Sequence, residues 1–219
     1  AGKLLISADC FGSTTNGTRV INLVSNGYLR LNSGSGTFAL ATNRQVVTGI
    51  GGGAVDGNSR LLLLTAANQL AGEHPFTLYS QNSAYGGLQL NAENDNFTAP
   101  LVVHNVQTLR LSANGTINHS PLIVLTNATA ILDVLAKPSG YAVPSNQILA
   151  GIGVVSGRVN TATAGAVIHP GICAAAGTSR SPGILTLTGG LSVTNGGCYA
   201  WDLAQLKDSA FAPGTTTYS

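Results

Sequence analysis

Charged residues are scarce in this chain of 219 residues, where Asp, Glu, Lys and Arg together make up 8%. An average soluble domain contains about a quarter. The helices that cover an α/β enzyme need charged outer faces, so this composition argues against that class of fold. The formal net charge of +2 is close to neutral. It gives no support for nucleic acid or an anionic membrane as a partner.

Methionine is absent, and so is any run of 18 or more apolar residues. The second absence predicts that no transmembrane helix is present. Because the chain starts at Ala1 rather than at a methionine, we expect a processed or trimmed start from which a leader has been removed. This expectation fits an extracellular or cell-surface protein.

Cysteine is also rare, and three residues are too few for a disulfide scaffold. Cys173 and Cys198 lie 25 positions apart, which is about one coil of the repeat proposed below. The two side chains are therefore candidates for a disulfide between stacked coils. The alternative is that both are small buried apolar residues.

Glycine is abundant, with 28 residues, and Thr, Ser and Asn supply the polar surface that charged residues do not. The segment Ser181–Leu203 shows how these residues are arranged. Its apolar residues alternate with polar ones in three short runs, which are separated by Gly189-Gly190 and by Asn195-Gly196-Gly197. Alternation with period two predicts strands with one buried face. Turns at such regular intervals indicate a short coil that repeats.

The rest of the chain follows the same pattern, with no change of composition to mark a domain boundary. Strand candidates recur about every 7 to 12 residues, a spacing that also suits a β-sandwich. The spacing of whole coils favours a β-solenoid, which we predict as one domain over residues 1–219. The strand candidates are Lys3–Ile6, Arg19–Val24, Tyr28–Leu31, Thr37–Leu40, Gln45–Thr48, Arg60–Thr65, Phe76–Ser80, Leu88–Leu90, Leu101–Val103, Thr108–Leu111, Leu122–Leu125, Ala130–Leu135, Ile148–Leu149, Val154–Val155 and Val167–Ile168.

Several segments between these strands are predicted to be irregular. Gly49–Gly53 is expected to be a glycine-rich loop, Val55–Asn58 a turn, and His169–Gly171 a turn that closes a coil. Ala66–Gly72 is the most helix-like segment, although a turn or a loop explains it equally well.

Residues 109–134 (LRLSANGTINHSPLIVLTNATAILDV) resemble the autotransporter-associated β-strand repeat of very large secreted bacterial proteins. Asn82–Leu90 is similar to the Tyr-x-Gly-Gly turn and strand that usually precede this repeat. Residues 149–160, 166–171 and 181–193 resemble the closing coils of such proteins. The resemblance covers roughly residues 76–203, and residues 204–219 would follow it as a cap or a tail that docks a subunit.

This resemblance implies a right-handed parallel β-helix that is exported and displayed at or beyond the cell surface. The roles of the family are adhesion, surface structure and the carrying of other domains. It implies no catalytic residue and no cofactor. We therefore expect a protein that is not an enzyme, with a filament, sheath or surface-layer subunit, or an adhesin segment, as the specific forms.

A carbohydrate-active or carbohydrate-binding β-helix is the alternative. In stacked coils, residues about 20 to 25 positions apart converge on one face, and Glu73 with Glu93 or Asp95 has that spacing. Two or three clustered acids are what glycoside chemistry requires. Solvated loop acids are the simpler interpretation. A surface polysaccharide is accordingly an open alternative as a partner.

Other patterns point only weakly to chemistry. Asn94–Asn96 offers oxygen ligands for calcium but lacks the spaced acids of known calcium loops, and Gly49–Ala54 fits a dinucleotide pattern without a helix after it. The four histidines show no metal-ligand spacing. Five N-x-S/T sequons are present, and whether they carry glycans is left open. The histidines are His74, His104, His119 and His169, and the sequons start at Asn16, Asn96, Asn114, Asn118 and Asn127.

Aromatic residues are concentrated near the C-terminus. They are Tyr199, Trp201, Phe211 and Tyr218. One interpretation is a cap over the last coil, and the other is an end that docks on a second subunit. The open end of a solenoid exposes unpaired backbone groups, which are a template for another chain. Head-to-tail stacking of such ends would give an open homo-oligomeric filament.

Overall fold

The computed structural model of the chain describes residues 2–6, 17–81, 85–161, 163–173, 180–194 and 196–200. All regular structure in these ranges is β-strand. In chain order the strands are β1 (Lys3–Ile6), β2 (Arg19–Leu23), β3 (Gly27–Leu31), β4 (Thr37–Ala39), β5 (Arg44–Thr48), β6 (Gly53–Asp56), β7 (Leu61–Leu64), β8 (Leu70–Gly72), β9 (Phe76–Tyr79), β10 (Gly86–Leu90), β11 (Leu101–Val103), β12 (Gln107–Leu111), β13 (Leu122–Leu125), β14 (Ile131–Asp133), β15 (Tyr141–Ala142), β16 (Ile148–Gly151), β17 (Val154–Ser156), β18 (Val159–Thr161), β19 (Val167–Pro170), β20 (Ile172–Cys173), β21 (Arg180–Ser181), β22 (Thr186–Leu187), β23 (Leu191–Val193) and β24 (Cys198–Tyr199).

The strands form three faces of a coil. Sheet A has nine strands in the order β1-β3-β6-β9-β11-β13-β16-β19-β24, and sheet B has seven in the order β22-β17-β14-β12-β10-β7-β4. The third face carries two three-stranded sheets, β2-β5-β8 and β15-β18-β23. Every pairing in these sheets is parallel and joins one pass of the chain to the next, for example Ile148 to Val167 and Val167 to Cys198. The predicted all-β parallel β-solenoid is confirmed.

Inward-facing rows of aliphatic and aromatic side chains form the core. In sheet A one row consists of Phe76, Leu101, Ile123, Leu149 and Ile168, all fully buried. A matching row in sheet B consists of Leu62, Leu88, Leu109, Leu132 and Val155, also fully buried. The period-two alternation of each strand turns these residues inward. Each coil thus buries its apolar face against the coils above and below it. At about 4.8 Å per strand, the nine strands of sheet A span on the order of 40 Å.

Buried amide side chains cap backbone groups in the turns of the coil. Gln69 Oε1 accepts hydrogen bonds from the backbone N–H groups of Thr65 (2.6 Å) and Ala66 (2.7 Å). Asn94 Oδ1 accepts one from Leu70 N (2.8 Å). Gln147 Nε2 donates to the carbonyl oxygens of Ile117 and Ser120. Buried backbone groups need such partners, and at these corners side chains supply them.

One short hairpin interrupts the parallel winding. β20 and β21 pair antiparallel, and β20 contacts β13 and β16 on sheet A. The outward-facing residues Leu122, Val124 and Ala150 are buried at this place. They form a small second core on the outside of sheet A. The sequence pattern did not indicate this hairpin.

Most strand predictions agree with the structure. Lys3–Ile6, Leu101–Val103 and Leu122–Leu125 have the predicted bounds, and most of the others differ by one or two residues at an end. Five strands were not predicted, namely β6, β8, β15, β20 and β21. β8 occupies the end of the segment Ala66–Gly72, whose first part is a turn.

Two predicted turns were wrong. Val55–Asn58 was expected to be a turn, but β6 runs through Asp56 in the middle of sheet A, where Val55 pairs with Leu29 and Leu78 and is fully buried. His169–Gly171 was expected to be a turn, yet β19 continues through Pro170. In both cases the neighbouring coils pair with the segment, and this tertiary pairing overrides the local turn signal.

Candidate functional site

A continuous row of outward-facing polar and aromatic side chains follows the end of the sheet A strands. We call it the corner row: Arg30, Asp56, Tyr79, His104 and Thr126. Arg30 pairs with Asp56, and Asp56 pairs with Tyr79. The register continues because His104 N donates to Leu78 O (2.9 Å) and Thr126 N donates to Val103 O (2.9 Å). The five side chains therefore belong to five consecutive coils.

The first two members of the corner row form a buried ion pair. Arg30 Nε lies 3.3 Å from Asp56 Oδ2, and the Asp56 side chain is 1% exposed. The Arg30 guanidinium also donates to Gln81 Oε1 (2.8 Å) and to Asn58 Oδ1 (3.1 Å). Asp56 Oδ1 accepts from Asn58 N (3.0 Å). Both charges are thus paired and hydrogen bonded, as burial requires.

The other three members lie closer to the solvent. Tyr79 is 41% exposed, and its ring meets the His104 ring edge to face, with centroids 6.2 Å apart and an interplanar angle of 89°. Thr126 Oγ1 lies 2.9 Å from His104 Nδ1. Partial burial lowers the pKa of His104, because desolvation disfavours the imidazolium.

One tautomer of neutral His104 satisfies both contacts of the Thr126 hydroxyl. This hydroxyl has one hydrogen, and it also has Val103 O as an acceptor at 3.2 Å. Both contacts are satisfied together when Thr126 donates to Val103 O and His104 Nδ1–H donates to Thr126 Oγ1. Nε2 of His104 is then left as a hydrogen-bond acceptor.

The sequence pattern did not indicate the corner row. Its members lie 22 to 26 positions apart (Thr126 after His104, and Asp56 after Arg30). All of them except Arg30, which is the last residue but one of β3, end or directly follow an apolar strand. That spacing was the available signal. It becomes informative only once the register of the coils is known, because a slip of one residue would turn each side chain to the other face.

The two ends of the described solenoid expose core positions. Leu4 belongs to an inward row with Leu29, Val55 and Leu78 but is 48% exposed. Tyr199 continues the inward row of Ile168 and is 45% exposed. Among the described strands, β1 pairs only with β3, and β24 pairs only with β19. Of the other predicted docking residues, Trp201, Phe211 and Tyr218 lie outside the described part of the chain.

Cys198 does not form the predicted disulfide in this structure. It is a free, exposed cysteine, and its neighbour in sheet A is Val167. Cys173 instead lies on the hairpin strand β20, where its backbone pairs with Arg180. The 25-residue spacing suggested stacking, but the hairpin lengthens this coil and shifts Cys173 out of register with Cys198.

The acids considered for glycoside chemistry are not stacked. Gly72 bridges to Phe97, which places Glu73 beside Thr98, whereas Glu93 bridges to Thr116. Glu73 and Glu93 are thus at different positions along their coils, and both are exposed. Among the described residues, no group of three or more His, Cys, Asp or Glu is close enough together to hold a metal ion.

At the candidate calcium site, the Asn94 side chain already has hydrogen-bond partners in the protein. Asn94 is fully buried and caps the turn, with Oδ1 on Leu70 N and Nδ2 donating to Ala92 O (2.8 Å). Both polar atoms of its side chain are therefore already bonded to the backbone. The dinucleotide-like segment Gly49–Ala54 leads into strand β6.

The remaining candidates are spread over the surface of the described coils. His119 is exposed and contacts Asp95 O through Nδ1 (2.9 Å). Four sequon asparagines are exposed in turns. They are Asn96, Asn114, Asn118 and Asn127, while Asn16 lies outside the described residues.

No described stretch forms a helix long and apolar enough to cross a membrane.

Comparison with known proteins found no match to this chain among protein-family models, curated proteins or solved structures.

Proposed function

We propose that this protein is a non-enzymatic structural or adhesive rod that acts outside the cell. The observation that carries the proposal is the unbroken core, which extends from Ile6 to Ile168 as one cluster of buried residues. Each coil packs against the coils next to it along the whole core, so the solenoid has the shape of an elongated shaft. The resemblance of residues 76–203 to exported repeats supports the location outside the cell.

The ends of the rod support head-to-tail stacking of copies. β1 and β24 are the two edge strands of the same parallel sheet, and an unpaired edge is a template for another strand. Leu4 and Tyr199 are core positions that remain accessible there. A second copy that pairs its β1 with β24 would extend the sheet and cover both residues. Repetition of this contact gives an open filament rather than a closed ring.

A carbohydrate-active enzyme is less well supported. Glycoside hydrolysis requires two carboxyl groups that flank one bond, and the register separates Glu73 from Glu93. Asp56, which lies in the corner row, is already paired with Arg30. Glu73 and Glu93 therefore do not flank a common site, and Asp56 is held in an ion pair.

Electron microscopy and light scattering of the purified 219-residue chain test the proposal. We expect filaments whose length grows with protein concentration. Tyr199→Asp places a charge at the joint and should leave short rods, whereas Tyr85→Asp, at a position that is 71% exposed on the side of the coil, should leave filaments intact. Monodisperse single rods at every concentration, without adhesion to any surface, would count against the function.

A further inference from the structure

We propose that the corner row binds neutral saccharides, with the Tyr79 ring as the platform and with His104 and Gln81 as the hydrogen-bonding groups. This inference rests on the adhesive form of the proposed function and names its ligand class.

The Tyr79 ring is an aromatic surface held in a defined orientation. It is 41% exposed, and the perpendicular contact with the His104 ring holds its orientation. Sugar rings have an apolar face of C–H groups, which packs against aromatic rings. An amphipathic tyrosine gives a large contact area at a small loss of conformational entropy.

The polar groups beside Tyr79 are also held in place. Gln81 Oε1 accepts from Arg30 Nη1 (2.8 Å), and Gln81 N donates to Asp56 Oδ2 (3.4 Å). With its oxygen bound, the Gln81 side-chain amide has two N–H donors left to offer. His104 Nδ1 contacts Thr126 Oγ1, and in the tautomer that satisfies both contacts of this hydroxyl, Nε2 is an acceptor. A hydroxyl group both donates and accepts, so donors and acceptors around a ring suit a polyol. Preorganised groups lose little entropy on binding.

The charge distribution selects a neutral ligand. The two formal charges of the corner row, Arg30 and Asp56, are buried and neutralise each other. The more exposed members are an aromatic ring, an imidazole and a hydroxyl. A row with an accessible unpaired cation would favour phosphate, sulfate or uronic acids. The corner row instead offers uncharged hydrogen-bonding groups, which are typical of neutral sugar recognition.

The test measures binding of the full 219-residue chain to cellulose, chitin, mannan, xylan, galactan and dextran by co-sedimentation or affinity electrophoresis. We expect binding to at least one of them. Tyr79→Ala should weaken it at least tenfold, while Tyr79→Phe should retain most of it because the ring remains. Tyr85→Ala is the matched control, since Tyr85 is an exposed tyrosine outside the corner row, and it should bind like the wild type.

Three results would overturn the inference. They are no binding to any of the six neutral polysaccharides, binding only to acidic ones such as alginate, and binding that Tyr79→Ala leaves unchanged. A thermal melt identical to that of the wild type shows that Tyr79→Ala folds, as expected for an outward-facing side chain. Electron microscopy measures filament formation independently of these binding results. Failure of the sugar site and failure of the structural role are therefore distinguishable.

Discussion

At Asn94 a side-chain amide makes the hydrogen bonds that the backbone of a tight corner leaves unmade. Its oxygen accepts from Leu70 N in the preceding coil, and its nitrogen donates to Ala92 O. Gln69 and Gln147 make equivalent contacts at their own corners. Single buried amides therefore link one coil to the next in a chain with few charged residues.

Asn94→Leu should lower the free energy of unfolding by about 1–3 kcal/mol, because Leu70 N becomes a buried donor without an acceptor. Equilibrium denaturation in urea measures the loss. Asn118→Leu is the control, since Asn118 is an exposed asparagine nearby, and its change should stay within about 0.5 kcal/mol. Equal losses in the two variants would show that the buried cap contributes nothing.

Each strand of the coil depends on the close approach of its neighbours, and glycine is required where this approach is tightest. Gly87 in β10 has φ +141°, and a Cβ atom there would lie 1.9 Å from Thr108 O in β12. No side chain fits without separating the two strands. Gly36 also has a positive φ, of +84°, but a Cβ atom there would meet nothing within 4 Å.

Gly87→Ala should therefore destabilise the protein by more than about 2 kcal/mol, because it combines backbone strain with a steric clash. Gly36→Ala should cost about 1–2 kcal/mol from backbone strain alone. Denaturation midpoints give the two losses, and hydrogen exchange should show reduced protection of β10 and β12 only in Gly87→Ala. A smaller loss for Gly87→Ala than for Gly36→Ala would contradict the strand spacing described here.

For the whole molecule, the proposed head-to-tail stacking predicts which residues meet at a joint between two copies. The outward row of Lys3, Tyr28 and Ala54 continues along sheet A to Ala150 and His169. Ala200 follows on the last strand, where its N–H donates to Ile168 O (2.8 Å). If a joint continues this register, Ala200 of one copy lies beside Lys3 of the next.

The double variant Lys3→Cys/Ala200→Cys should then form ladders of cross-linked multimers, with all three native cysteines replaced by serine. Neighbouring strands place the two Cα atoms about 4.8 Å apart, within the range of a disulfide. Leu5→Cys/Ala200→Cys is the control, because a shift of two residues separates the Cα atoms by about 8 Å. Non-reducing electrophoresis detects cross-linked ladders in both variants. Ladders in the control alone would reject this register, and filaments without ladders in either variant would reject the β24–β1 joint.

The amino-acid sequence by itself determined the strands and the class of fold. Alternation at Phe76–Tyr79 or Gln107–Leu111 marks a buried face whatever the neighbours are, and the scarcity of charged residues disfavours charged helices as the cover of a core. Tertiary structure decided what depends on register: β6 in place of a turn, the hairpin that separates Cys173 from Cys198, and the corner row. Register is set by contacts between residues 18 to 32 positions apart, as Tyr141–Val159 and Val159–Leu191 show. Local patterns do not encode these distances, so only the wound chain brings Arg30, Asp56 and Tyr79 together.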